Sequence, residues 1–145
     1  GPLILNIKTE GIELECIKLL AERKIKNWFF LDLSMPYFAR FSELIKEKKI
    51  ESFSSENLAV RFSDLEPIEY ALAFSGKAKW VWVDTFTTFP LNIENYKALK
   101  MNGFKICLVS PELQNHPIEM IKLIREEVIN MDIDAVCTKQ PLLWI

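Results

Sequence analysis

Lys79-Trp-Val-Trp-Val-Asp-Thr-Phe86 decides the fold class. Five of its eight residues are aromatic or β-branched and apolar, which suits a pleated strand. The apolar run is continuous rather than alternating, so both faces of this strand are expected to be covered, as in a parallel sheet. On either side the pattern changes to helical spacing. Glu66-Pro67 opens a short helix through about Phe74, closed by Gly76, and Ile93 to Met101 forms the next, closed by Asn102-Gly103.

The same alternation extends outward in both directions. Leu58-Ala-Val-Arg-Phe-Ser63 is a weaker strand, preceded by the polar stretch Glu51 to Asn57. Before it lie a helix from Tyr37 to Lys49 and the strand Asn27-Trp-Phe-Phe-Leu-Asp-Leu-Ser34, which Met35-Pro36 stops. The first unit is the strand Leu3-Ile-Leu-Asn-Ile-Lys8, followed by a helix carrying Ile12, Leu14, Ile17, Leu19, Leu20 and Ile25. Downstream, Phe104-Lys-Ile-Cys-Leu-Val-Ser110 is a strand, Ile118 to about Asn130 a helix, and Ile133-Asp-Ala-Val-Cys-Thr138 the last strand. A final turn, Gln140 to Ile145, is all that follows. Six strand-helix units in 145 residues predict one α/β domain, residues 1–145, with parallel strands. Two architectures satisfy the pattern: a doubly wound open sheet, complete with five or six strands, and a (β/α)₈ barrel, which requires eight.

Composition narrows the function classes. The chain is 50% hydrophobic and 26% charged, with a net charge of -2 from 18 basic and 20 acidic residues, as in an ordinary globular protein. No nucleic-acid partner is expected, because such partners require a basic face. Lys46, Lys48 and Lys49 are interleaved with Glu43, Glu47 and Glu51 and read as a solvated helix face. Cys16, Cys107 and Cys137 are odd in number, far apart and set in apolar surroundings, so buried reduced thiols are expected. No apolar run reaches the length of a membrane span, and a cytoplasmic location is the default expectation. Gly1 stands where an initiator Met would, so a longer parent protein is an open expectation, together with self-association or a complementing fragment as partner.

The C-terminal ends of parallel strands form the functional edge of such folds. Here they carry Asn6 and Lys8, Asp32 and Ser34, Arg61 and Ser63, Asp84, Ser110 and Glu112, then Thr138 and Lys139. Lys8, Arg61 and Lys139 suit a phosphate or another small anion through charge-assisted hydrogen bonds. Asp32, Asp84 and Glu112 suit ion pairing with those cations, a divalent metal, or proton exchange. Mutual neutralisation by salt bridges is the alternative to all of these. His116, the only histidine, lies in the polar loop Gln114-Asn-His-Pro117 and reads as a solvated residue. Trp28, Trp80 and Trp82 read as core. No nucleophile elbow, metal-binding His pair or CxxC motif is present, so no catalytic residue is assigned.

Leu5-Asn-Ile-Lys8, Val81-Trp-Val-Asp84 with Phe86, Cys107-Leu-Val-Ser-Pro-Glu112 and Ala135-Val-Cys-Thr-Lys-Gln-Pro141 together resemble successive strands of the glycerophosphodiester phosphodiesterase-like proteins, which are (β/α)₈ barrels. The resemblance spans nearly the whole chain, from the third barrel strand to the eighth. It implies that Lys8 matches the family's third-strand lysine and that Thr138 and Pro141 fit its closing motif. Asn6 stands where the family places a metal-binding glutamate, and Lys139 where an aspartate is usual. The family's catalytic histidines and paired acidic metal ligands come from strands one and two, which these 145 residues do not supply. The resemblance therefore implies a phosphodiester or anion site, with Mg or Ca as the divalent metal of an intact protein, and no catalysis by this chain alone.

Overall fold

A computed structural model describes residues 1–145 and contains six parallel strands alternating with five helices. The strands are β1 (Leu3–Asn6), β2 (Trp28–Leu31), β3 (Ala59–Phe62), β4 (Trp80–Val83), β5 (Lys105–Val109) and β6 (Ala135–Cys137). The helices are α1 (Glu13–Glu22), α2 (Met35–Lys46), α3 (Ile68–Leu72), α4 (Ile93–Met101) and α5 (Met120–Glu127), with short 3₁₀ turns at Ser55–Asn57, Pro111–Gln114 and Pro141–Trp144. The α/β reading holds, and α4 has the bounds its sequence pattern gave. Asn92 accepts a hydrogen bond from the N–H of Asn95 at its start, and Gly103 takes a positive φ of 79° just past its end. No helix is long and apolar enough to cross a membrane.

The strands lie in chain order. β1 pairs with β2, and β3, β4, β5 and β6 form a continuous parallel ladder. One isolated bridge, Phe30 to Leu58, joins these two blocks. β1 and β6 are the free edges. Below the bridge, the buried amide of Asn57 reinforces the join: its Nδ2 donates to the carbonyl of Trp28 at 3.0 Å, while its Oδ1 accepts from the N–H of Ser54. Beyond the bridge, the C-terminal ends of β2 and β3 splay apart.

Side-chain alternation along the strands sorts the core into two unequal layers. Trp28, Phe30, Val60, Phe62, Val81, Val83, Ile106 and Leu108 point toward the helices. There they meet Ile17 and Leu20 of α1, Phe38 and Phe41 of α2, Ala71 of α3, Leu99 of α4 and Ile124 of α5 in one cluster. The opposite strand face carries Phe29, Leu31, Ala59, Trp80, Trp82, Cys107 and Val109, a cluster to which no helix contributes. Phe29 and Trp80 stack at 4.9 Å between ring centroids although β3 lies between their strands. Strands two apart in a flat sheet are separated by roughly 9–10 Å. The contact is reached because the sheet curls and the strand between places only the small Ala59 beside the two rings. This concave face opens toward the strand C-terminal ends, where the charged residues stand.

The three tryptophans assigned to the core are buried, two of them on the concave face. The expectation of three buried thiols is corrected: Cys107 is buried, whereas Cys16 and Cys137 are half-buried. Cys16 lies on α1, at the end of the sheet, and Cys137 on the edge strand β6, and neither has neighbours on all sides. The charged face of α2 is solvated, with Glu43–Lys46 and Glu47–Lys49 pairs on its surface and just beyond its end.

Candidate functional site

The site grows from the concave face. Arg61 follows Ala59 on β3 by two residues and shares its side, and Arg61 lies in register with Trp82, two residues before Asp84. Arg61 and Asp84 are thus diagonal neighbours over the same face. Asp32 follows the last residue of β2 and takes a left-handed backbone with φ of 62°, a conformation that Asp tolerates better than most residues. That turn ends the strand and brings the carboxylate between two cations. Lys8 Nζ donates to Asp32 Oδ2 at 3.1 Å, and an Arg61 guanidinium nitrogen donates to Asp32 Oδ1. Arg61 Nε lies 3.8 Å from Asp84 and 3.9 Å from Glu66, both beyond hydrogen-bond range, and is buried with no partner. The Phe86 ring lies beneath the guanidinium at 5.7 Å.

The two main carboxylates are held differently. Asp84, with a side chain only 3% exposed, accepts from Gln114 Nε2 at 2.8 Å, from the N–H of Thr85 at 3.0 Å and from the Trp82 indole at 3.4 Å. Asp32 is 22% exposed and is held by Lys8 and Arg61 alone. Two cavities meet at Asp32. One, of about 390 Å³, lies over the concave face against Trp82, Phe86 and Val109. The other, of about 450 Å³, fills the splay between β2 and β3, against Met35 and Phe38 of α2 and Tyr70 of α3. Lys8, Leu31, Asp32 and Arg61 line both.

A second polar group stands beside the first. Glu112 accepts from the Ser110 hydroxyl, from the Thr138 hydroxyl at 2.6 Å and from the N–H of Lys139 at 2.9 Å. Burial pushes the Glu112 carboxyl up, but these donors outweigh it and hold it below its usual range. Trp144 donates its indole N–H to Ser110 at 2.8 Å and so fastens the C-terminal turn to the network. Burial sends the Cys107 thiol up to about 12. It also raises Cys137, with Glu112 and Asp84 adding to the effect, so neither is a ready thiolate.

Of the residues singled out at the strand ends, Lys8, Asp32, Arg61 and Asp84 converge. Lys139 does not join the other two cations: its backbone caps Glu112 while its side chain is exposed and takes part in no ion pair. It stands two residues past the edge strand β6, on the far side of the sheet from β1. The Ser63 hydroxyl is spent locally, donating to Glu66 at 2.9 Å and accepting from the N–H groups of Leu65 and Glu66. The Ser34 hydroxyl is buried ahead of α2 without a partner, and Asn6 lines only the concave cavity. No three His, Cys, Asp or Glu side chains converge as a metal site requires. Asp32, Asp84 and Glu112 are therefore not assembled around a cation position, and Arg61 occupies the space between the first two. His116 is half-buried rather than fully solvated, with Nε2 3.1 Å from the Thr85 carbonyl.

Glu66 and Gln114 belong to the site, but the sequence marked Glu66 only as the opening of a helix and Gln114 only as part of a polar loop. Asp64 escaped notice for the same reason. Its carboxylate ties the loop after β3 to the loop after β4, accepting from the N–H groups of Phe86, Thr87 and Thr88 and from the Thr87 hydroxyl. Burial raises the Asp64 carboxyl, yet the Thr87 hydroxyl and the three N–H groups together lower it to about 2. The folded value lies below the unfolded one of about 3.9, so this stabilisation is complete above about pH 4 and lost as pH falls toward 2. Asp64→Asn is expected to cost about 1 kcal/mol at pH 7, since the loops remain partly solvated. Urea unfolding midpoints should show the gap to wild type closing between pH 4 and pH 2; a gap that does not change with pH would contradict the assignment.

Comparison with known protein families, with curated proteins and with solved structures finds no match to this chain.

Proposed function

We propose that this chain is the strand-three to strand-eight portion of a glycerophosphodiester phosphodiesterase-like barrel, and that its strand C-terminal edge receives a small phosphorylated or otherwise anionic ligand. The observation that carries the reading is the convergence of Lys8 and Arg61 at the mouth of the concave cavity. The Lys8 side chain is 72% exposed, and Arg61 uses one nitrogen of its planar fork in hydrogen bonding. An arginine fork with free donors beside an exposed ammonium suits an oxyanion. The chain-order strands, with every helix buried against one face, support the kinship with a barrel. In this reading Lys139 takes no part in first contact with the ligand.

The residues present assign no nucleophile and no general acid to the site, so turnover by this chain alone is not part of the proposal. Titration of the protein with glycerophosphoglycerol, a singly charged phosphodiester, followed by amide chemical shifts, tests the binding. Lys8→Ala is expected to weaken it by about tenfold, the worth of one charge-assisted hydrogen bond. An affinity indifferent to Lys8 would sink the proposal.

The pairing of both cations with Asp32 favours a second reading, a scaffold that keeps the barrel-derived fold and binds nothing at this edge. Absence of any shift change in wild type and in its charge variants would favour that reading.

A further inference from the structure

Resting on the anion-site reading above, we propose that Asp32 is a built-in competitor for that site: its carboxylate occupies the place of the ligand oxyanion between Lys8 and Arg61, and the ligand binds by displacing it.

Three observations converge on this assignment. First, Asp32 presents one oxygen to each cation, as an incoming oxyanion would, and has no other hydrogen-bond partner. Whatever takes Lys8 and Arg61 removes everything that holds it. Asp84 differs, because Gln114, Thr85 and Trp82 keep its carboxylate in place whether or not Arg61 is engaged. Second, Asp32 has somewhere to go. It forms part of the wall between the concave cavity and the crevice between β2 and β3, so its carboxylate can leave one for the other. The ladder between those strands has already ended at the Phe30–Leu58 bridge, and no β2–β3 pairing has to break. Third, the charge count selects the ligand. Around Lys8 and Arg61 stand Asp32, Asp84 and Glu66, one negative charge in excess. With Asp32 moved aside, the remaining four groups balance. The site then suits a singly charged, two-oxygen group, a phosphodiester or a carboxylate, better than a phosphomonoester dianion.

A self-competing carboxylate lowers the apparent affinity by the fraction of time it holds the site. Asp32→Asn is the matching variant, since Asn keeps the shape and tolerates the left-handed backbone. It is expected to bind glycerophosphoglycerol at least about tenfold more tightly than wild type. Glu66→Gln removes the same charge from beside Arg61, 3.9 Å from its Nε, without vacating the position between the two cations, and should gain no more than about threefold from reduced repulsion. Equal gains in the two variants would reduce the effect to general electrostatics and overturn the proposal. An unchanged or weaker Asp32→Asn would also overturn it, and if Lys8→Ala still weakened binding, the anion site itself would stand. No binding by wild type or Asp32→Asn would remove both readings. In wild-type protein the Asp32 Cγ resonance should move on saturation with glycerophosphoglycerol, and inorganic phosphate should move it less. A Cγ resonance that stays fixed at saturation overturns the displacement whatever the variants do.

Discussion

Arg61→Met is expected to destabilise the protein by about 2–4 kcal/mol, because it leaves a carboxylate that the fold has taken out of water without its cation. Asp84 is buried at 3% exposure and lies 3.8 Å from Arg61 Nε, and Asp32 and Glu66 face the same guanidinium. The full cost of breaking a buried ion pair is about 3–5 kcal/mol. Two features moderate it here: the Arg61 side chain is 26% exposed, and Asp84 keeps its three other donors. Unfolding in urea at pH 7 measures the loss. The stronger test is the cycle with Asp84→Asn. If the cost is an uncompensated charge, the double variant should recover about 1 kcal/mol or more relative to Arg61→Met. Strict additivity of the two substitutions would mean that Arg61 acts through packing on Phe86 instead.

Phe30→Ala is expected to cost about 3–5 kcal/mol, the range for removing a large aromatic from a core that cannot collapse around the void. Phe30 has no exposed surface and sits among Trp28 at 5.0 Å, Phe53 at 6.0 Å and Phe41 at 6.3 Å between ring centroids. It also holds the single bridge from β2 to Leu58, the place where the two hydrogen-bonded blocks meet. A protein of this length has a total stability of about 7–20 kcal/mol, so the substitution removes a large share. Chemical denaturation followed by tryptophan fluorescence gives the magnitude. Hydrogen exchange gives the location: the amides of β1 and β2 should lose protection before those of β4 and β5. Uniform loss across all six strands would show that the bridge is not a weak seam.

The arrangement couples these two sites. β2 and β3 are joined near the bridge by the Phe30 cluster and the Asn57 amide, and at the open end by Asp32 and Arg61. The crevice between these joins is the larger of the two cavities at the site. An anion that drew Arg61 away from Asp32 would therefore act on the seam as well as on the charge cluster.

How much of this was legible beforehand follows from the range of the forces involved. Val81-Trp-Val-Asp84 declares a buried strand because apolar runs and turn residues act within a few positions, and Asn92 with Gly103 declares the ends of α4 for the same reason. Parallel pairing followed from the helices inserted between strands, and the C-terminal edge as the place of the charged residues followed from parallel pairing. Lys8, Asp32, Arg61 and Asp84 could be named as one group on that basis. Their partnership could not. Lys139 shares their sequence context, yet the edge position of β6 sets it apart; Glu66 enters from a helix start and Gln114 from a polar loop, and neither pattern points to the site.

By itself, then, the sequence determined the six strand-helix units, their parallel sense and the edge where polar side chains gather, since local spacing and short-range sterics are enough for each. Only the tertiary structure decided that all five helices bury against one face, that β2 and β3 part beyond a single bridge, and that Asp32 stands between Lys8 and Arg61. Those outcomes depend on sheet curl, on the size of Ala59 beneath the Phe29–Trp80 stack, and on one left-handed residue at Asp32. Each is fixed by contacts between residues far apart in the chain, which no local pattern encodes.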